Sequence, residues 1–321
     1  CLLYIVVVWI FKGKYSVYSR KQLVSEAQNN AKIIDFLSGA LTTKLYRAEK
    51  FSYKSIEKSF TAYLENIYKL SKDKLMETSG ISETIANNMI DKKVRNNVDN
   101  ALKYMKQNNI NVISVFDDDY PQMLKEIYAP PICLYIKGNL QLLKMQNISL
   151  IGCRKCSQYG KKTAYYFSYN LSKAGFNIVS GLARGIDSYS HIGCLAAKGK
   201  TIAVMGSGLD NIYPKENEQL VNEIIKQNGA IITQYPLGTK PEKNNFPARN
   251  RIISGLSKAV LVIEARAKSG TLITVDFALE QGKDVFAVPG NINSANSVGT
   301  NELIKQGAIP VCNYKDILDN I

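Results

Sequence analysis

The stretch Phe246-Pro247-Ala248-Arg249-Asn250-Arg251-Ile252-Ile253-Ser254-Gly255-Leu256 enters an apolar run through two arginines that flank an asparagine, and the strand-like Ala259 to Ile263 follows at once. Pro247 suits the first position of a helix, where its missing N–H is no loss. Both guanidiniums are then expected near a helix N-terminus, an arrangement that faces phosphate. An isolated arginine pair more often ties a helix to its neighbours, so the surrounding chain has to decide. From Ile148 onward apolar strands are read at 148–152, 177–180, 201–205, 230–233, 259–263, 284–288 and 309–312. Helices are read between them near 159–174, 187–198, 216–228, 247–256, 271–281 and 299–306. Near-continuous apolar strands alternating with helices predict an α/β fold with a mainly parallel sheet covered on both faces. Ligands of such sheets bind beyond the carboxyl ends of the strands, so function is expected in the loops that follow them.

Those loops share a composition. Gly152-Cys153-Arg154-Lys155 follows the first strand, Ser180-Gly181-Leu182-Ala183-Arg184-Gly185-Ile186-Asp187 the second, Gly206-Ser207-Gly208 the third and Lys268-Ser269-Gly270-Thr271 the fifth. Glycine permits positive φ and close backbone approach, so successive N–H groups can converge on an anion. Taken singly, each loop reads as an ordinary helix start. Together with Lys243 and the two arginines they point to a polyanion. The dinucleotide fingerprint is not met, because the first loop has one glycine and no acidic residue stands in the usual place after the next strand.

The rest of the chain is consistent with that reading. Among 321 residues, 41 Lys and Arg face 27 Asp and Glu, a net charge of +14, and 45% of residues are hydrophobic. The excess is spread evenly, which suits a nucleic-acid partner and excludes a basic tail. Six cysteines without secreted spacing suggest a reduced, cytoplasmic chain. Cys153, Cys156, His191 and Cys194 could offer four zinc ligands, but Cys153 falls in a ligand loop, so no metal and no cofactor is expected. The single histidine makes a Ser-His-Asp hydrolase improbable, and His191 is expected to hold the second loop by hydrogen bonds. Residues 1–45 open on an apolar run, Cys1 to Phe11, too short to span a bilayer; the absence of an initiating Met suggests a fragment, and no membrane association is expected. Residues 46–108 carry apolar residues at helical spacing and predict a small helical domain. Around Gly80 it has the pattern of a helix-hairpin-helix or SAM-like pair, with Ser82 where a second glycine is usual. Residues 109–136 read as two strands of a connector docked on the sheet domain, with Asp117-Asp118-Asp119 as a solvated turn.

With these motifs laid out, residues 109–318 closely resemble the DNA-processing protein A family (DprA, also called Smf). The resemblance is carried by SLIGCRKCSQYG (149–160), IVSGLARGIDSYSHIGCLAAKGKTIAVMGSGLDNIYP (178–214), FPARNRIISGLS (246–257), SGTLITVDFALEQGKDVFAVPG (269–290) and GTNELIKQGA (299–308). It implies an extended Rossmann-like domain over 109–321 that binds single-stranded DNA and hands it to the RecA recombinase in natural transformation, as a homodimer without chemistry of its own. By position, Arg154 matches a DNA-contacting arginine, Lys243 and Phe246 match a basic residue and an aromatic that touch the strand, and Gly181 to Asp187 match a shared loop. Cys153 stands where serine is usual, and Thr233-Gln234 replaces a Ser-Glu pair. A C-terminal winged helix found in many relatives is expected to be absent or truncated.

The expected DNA-facing set is Gly152, Arg154 and Lys155; Ser180, Gly181, Arg184 and Gly185; Lys243, Phe246, Arg249, Asn250 and Arg251; and Ser269 with Gly270. Phe246 has two readings, a platform on which a base stacks or a hydrophobic staple beneath Pro247. The competing function is a nucleotide-binding Rossmann enzyme that cleaves nucleoside monophosphates at the glycosidic bond, since Ser269-Gly270-Thr271 resembles its nucleotide loop. Such an enzyme needs a carboxylate at that loop, which this stretch lacks. Leu303 and Ile304 are the expected subunit contact.

Overall fold

The computed structural model describes residues 71–76, 83–115 and 117–321; the segment 1–45, the helices expected before residue 71 and the turn around Gly80 lie outside them. The chain divides into two compact units, 1–108 and 109–321. In the first, helices α1 (Lys72–Met76), α2 (Glu83–Ile90) and α3 (Lys92–Gln107) follow one another, and the small Ala86 and Val98 are buried.

The second unit begins with strand β1 (Ile110–Ser114), a short helix α4 (Gln122–Lys125) and strand β2 (Cys133–Gly138). Then come β3 (Asn147–Ile151), α5 (Gln158–Lys173), β4 (Asn177–Ser180), α6 (Ile186–Ala196), β5 (Thr201–Val204), α7 (Glu218–Lys226) and β6 (Ala230–Thr233). The chain closes with α8 (Asn245–Gly255), β7 (Ala259–Val262), α9 (Gly270–Glu280), β8 (Asp284–Ala287), α10 (Val298–Lys305), β9 (Ile309–Pro310) and α11 (Lys315–Leu318). One nine-stranded sheet results, in the order β1-β2-β6-β5-β4-β3-β7-β8-β9, parallel from β6 to β9.

Residues 109–136 are more than a docked connector. β1 and β2 pair antiparallel, with Ile110 opposite Lys137, and β2 continues the sheet by pairing Tyr135 with Thr233 of β6. Without β2 the buried strand β6 would be an open edge, and the apolar Cys133 to Ile136 covers it. Asp117 turns the chain there by accepting the Ser114 N–H at 2.6 Å, and Asp119 pairs with Lys144 at 2.7 Å.

Central strand β3 is buried along its length between β4 and β7. Its Ile148 and Leu150 meet Phe167 and Leu171 of α5, and that core continues through Ile178, Leu261 and Phe286. Helix α5 starts where Ser157 accepts the Gly160 N–H at 2.9 Å and ends before Gly175, whose φ of 96° is left-handed. From β3 the chain steps outward through β4, β5 and β6, then returns past β3 to β7. The loops after β3 and β7 therefore diverge at the centre of the carboxyl edge, the topological switch point of the sheet.

Candidate nucleic-acid interface

Arg154 leaves the end of β3 into solvent, and its guanidinium carbon lies 5.2 Å from the centroid of the Phe246 ring. Phe246 is half-exposed in the first turn of α8, with the Tyr213 ring centroid 5.6 Å away and tilted by 47°. Behind the ring is Gly206 at the end of β5, where a Cβ would stand only 2.9 Å from the ring Cδ1. Glycine at 206 lets the ring lie back against the sheet edge. Arg154, Gly181, Ala183, Arg184, Tyr213, Pro214 and Phe246 line one shallow depression. Phe246 is thus no simple staple beneath Pro247, since its ring lines the depression and faces a cation.

Lys155 and Lys243 are exposed near this edge. Arg184 is exposed too, its guanidinium forked onto the Glu216 carboxylate, with Nη2 at 2.8 Å. Water competes for both partners of such a pair, so it contributes little and can be exchanged for a phosphate.

Other expected contacts are buried or held within the fold. Helix α8 begins at Asn245, two residues before the proline; Pro247 still falls in the first turn, where backbone N–H groups have no partner within the helix. Arg249 consequently sits one turn in and points inward, 3% exposed, donating through Nη1 to the Val204 carbonyl at the end of β5. Asp187, in the first turn of α6, is the opposite charge that faces it, and accepts the Ala183 N–H at 3.3 Å. Burial pushes Asp187 up to about 6 and Arg249 down to about 10, each against the attraction of the other; withdrawing both charges from water costs more than their mutual attraction recovers. Arg249 is therefore an interior strut between β5 and α6 and does not meet phosphate. Gly181 is buried between the two groups, because a Cβ there would be 2.5 Å from Arg249 Nη1 and 2.6 Å from Asp187 Oδ2.

Arg251 is also occupied. Its Nε donates to the Ala129 carbonyl at 2.9 Å and its Nη2 to Gln234 Oε1 at 2.6 Å, so it pins α8 to the segment before β2. Gln234 thus has a role as acceptor for Arg251. Asn250 is half-buried beside it. Ser180 is fully buried and gives its hydroxyl to the Leu150 carbonyl at 2.6 Å, a strand-to-strand bond.

The remaining glycines are there for loop packing. Gly185 has φ 78°, and a Cβ on it would run into the carbonyl of Cys153 and stand 2.5 Å from that of Arg154. The close approach is sealed by the Ile186 N–H donating to the Cys153 carbonyl at 3.2 Å. At Gly152 a Cβ would lie 2.6 Å from the Ile186 side chain. The two loops are therefore locked together, and this fixes where Arg154 can point.

Ser269 and Gly270 are elsewhere, beyond β7 on the far side of β3. Ser269 caps α9 by accepting the Thr271 N–H at 3.2 Å, and Gly270 is exposed. Between β3 and β7 lies a residue the sequence reading missed. Glu264, 2% exposed, turns its carboxylate onto the N-terminus of α5, accepting the Ser157 N–H at 2.9 Å and the Ser157 hydroxyl at 2.5 Å. Asn296 adds a third donor at 3.3 Å. A cavity of about 460 Å³ beside it is lined by Tyr159, Pro289, Asn291 and Ser297 among others. Tyr213 was missed as well; the Tyr-Pro pair after Gly208 was its one signal.

His191 is buried in α6 with Nδ1 2.7 Å from Thr201 Oγ1. The Thr201 hydroxyl gives its proton to the Ile178 carbonyl at 2.7 Å, so His191 Nδ1 is the donor to Thr201. Burial takes it down to about 3. It ties α6 to β5 and not to the loop. Cys153 and Cys194 have other partners, the carbonyls of Glu264 and Lys200, and no group of three or more possible metal ligands occurs among the described residues.

The sequence profile described as DNA recombination-mediator protein A matches residues 111–321. Protein Smf of Synechocystis is 40% identical over 262 residues, 80% of this chain and 66% of that protein, so the chain spans slightly less than two thirds of it. The crystal structure of DNA processing protein A from Streptococcus pneumoniae superposes with a TM-score of 0.67 at 36% identity, covering 89% of this chain and 98% of that one. The solved structure of DNA processing protein A from Helicobacter pylori, described for its single-stranded DNA binding mode, gives 0.59 at 31% identity, covering 65% of this chain and 94% of that one. The chain belongs to the DNA recombination-mediator protein A family, which includes the proteins called DprA and Smf.

Proposed function

We propose that this chain is a cytoplasmic single-stranded DNA-binding protein that protects the strand and passes it, as a homodimer, to the RecA recombinase in natural transformation, without bond-making chemistry. The observation that carries the DNA-binding reading is the Arg154 guanidinium set over the Phe246 ring in an open depression. Phosphates of a strand lying there meet Arg154, Lys155 and Lys243, and as Arg154 swings from the ring to a phosphate a base takes its place over Phe246. Bases of a duplex are already stacked, so the ring selects unpaired ones. Single-strand binding by the H. pylori relative supports the same reading; RecA transfer and dimerisation extend it by family resemblance.

The competing reading, a nucleoside monophosphate phosphoribohydrolase, has the weaker site. The helix N-terminus at the switch point already holds the carboxylate of Glu264, which would repel a nucleotide phosphate. Ser269 spends its oxygen on its own helix. No free adenine is expected from AMP incubated with the purified protein.

The test is binding of a labelled oligo-dT and of a duplex of equal length across a salt series. The single strand should bind more tightly at every salt concentration. Arg154→Ala should weaken both and lower the single-strand log–log salt slope by about 0.7. An equal affinity for the two DNAs, or an unchanged slope in the variant, would overturn the assignment.

A further inference from the structure

Helix α5, which follows the Arg154 loop directly, has a surface that the depression does not use. Its sixteen residues contain three lysines, four tyrosines and no aspartate or glutamate. The side buried on the sheet is made by Ala164, Phe167, Ser168 and Leu171. Lys161, Tyr165, Tyr169 and Lys173 recur at every fourth residue and form one row with a rise of about 6 Å between neighbours, which starts along α6, where Gly193 packs on the Tyr165 backbone, and ends in solvent at Lys173. The Tyr165 and Tyr169 rings stack, with centroids 6.1 Å apart and planes 15° from parallel. Lys173 Nζ lies 5.7 Å from the Tyr169 ring, and Lys161 Nζ 5.5 Å from the ring of Tyr189 on α6. A second row beside the first brings Tyr159, 54% exposed, and Tyr166, 41% exposed.

Single exposed aromatics need no explanation, but a contiguous row of them between cations does. An acidic or amphipathic protein segment would want an apolar groove or paired charges of both signs. The charged residues of α5 are all cations; beside them Tyr165 is 37% exposed, and Tyr166 keeps 41% exposure with its ring edge-on to that of Tyr314, 6.4 Å away. That is the composition of a stacking platform for a polyanion with unpaired bases. The loop carrying Arg154 and Lys155 runs directly into α5, so the helix starts at the same carboxyl edge of the sheet as the depression.

We propose that the exposed Lys-Tyr face of α5 is a second track for single-stranded nucleic acid, which receives the strand as it leaves the Arg154–Phe246 depression and leads it about 24 Å along the helix. This rests on the single-strand reading of the depression. Phosphates pair with Lys161 and Lys173, and bases stack on Tyr165 and on Tyr159 or Tyr166.

The test compares oligo-dT of about six and about twenty nucleotides on the full chain, since a single module covers roughly 4–16 nucleotides. The wild type should bind the longer strand more tightly than added length alone gives. Tyr165→Ala with Tyr169→Ala should leave the short strand within about two-fold and weaken the long one by about ten-fold or more, without change in melting temperature. Lys161→Gln with Lys173→Gln should lower the long-strand salt slope by about 1.4 and leave that of the short strand alone. Equal losses on both lengths, or none on either, would overturn the track; so would a change of sedimentation in the tyrosine variant, which would make the face a contact between copies of the chain. A wild type that fails to hold the short strand yet binds the long one through these tyrosines would remove the depression from the site and leave the track standing.

Discussion

Arg249 and Lys243 belong to one basic stretch, yet the fold surrounds them oppositely. Lys243 is in solvent, whereas Arg249 is enclosed with Asp187 and the Val204 carbonyl. Removing one partner of a buried pair strands the other charge, a loss of about 3–5 kcal/mol. Arg249→Ala should therefore lower the melting temperature by roughly 10 °C or more, while Lys243→Ala should leave melting unchanged and weaken single-strand binding. Calorimetry of both variants checks this, and an unaltered melting temperature for Arg249→Ala would return that residue to the surface. His191 makes a claim of the same kind about pH. Its folded value of about 3 lies below the unfolded 6.5, so its stabilising contribution is complete above pH 6.5 and is lost as pH falls toward 3. Asp187 runs the other way: raised to about 6, it contributes most below 3.8, and that contribution is lost as pH rises through 6. Asp187 is present in both proteins, so the difference between wild type and His191→Gln isolates the histidine. The wild type's stability relative to the variant should fall by up to about 1.4 kcal/mol per pH unit on acidification from 6.5. A difference independent of pH in urea titrations would show His191 charged or solvated.

At the scale of elements, the β3–α5 and β4–α6 loops work as one piece. Gly185 has a left-handed φ and no room for a Cβ beneath the carbonyls of Cys153 and Arg154. Gly185→Ala should thus displace the Arg154 loop and cost single-strand affinity of the same order as Arg154→Ala, though residue 185 offers no side chain to DNA. Unimpaired binding by that variant would separate the two loops. Much of this architecture was legible beforehand, because continuous apolar runs separated by helical periods report burial directly, and β4 and β6 fall where they were read. The interior of the site was not. Whether Arg249 or Lys243 faces out depends on how far back α8 starts, and Pro247, tolerated anywhere in a first turn, marks that start only loosely. Glu264 caps Ser157 from a distant strand end, and no local pattern announces such a pair. The β1–β2 hairpin joins the sheet because β6 would otherwise be an edge, a fact about the whole sheet and not about residues 109–136.

For the whole molecule, the carboxyl edge carries the exposed cations and Phe246 around one depression, while α10 offers the proposed subunit contact. Leu303 is buried there within its own chain, but Ile304 is half-exposed. Ile304→Glu should turn a sedimenting dimer into a monomer; a dimer of unchanged mass would place the contact elsewhere. The central claim, that the protein selects unpaired bases and not merely negative charge, rests on one ring. A base stacked on an aromatic contributes about 1–3 kcal/mol, and duplex bases cannot reach it. The most direct measurement is therefore the affinity of Phe246→Ala for single-stranded and duplex oligonucleotides across salt, beside its melting temperature. The account predicts a loss of about ten-fold or more for the single strand at constant salt slope, little loss for duplex, and near-native melting. Equal losses for both DNAs together with a large fall in melting temperature would contradict it, making Phe246 part of the core and the preference for single strands unexplained.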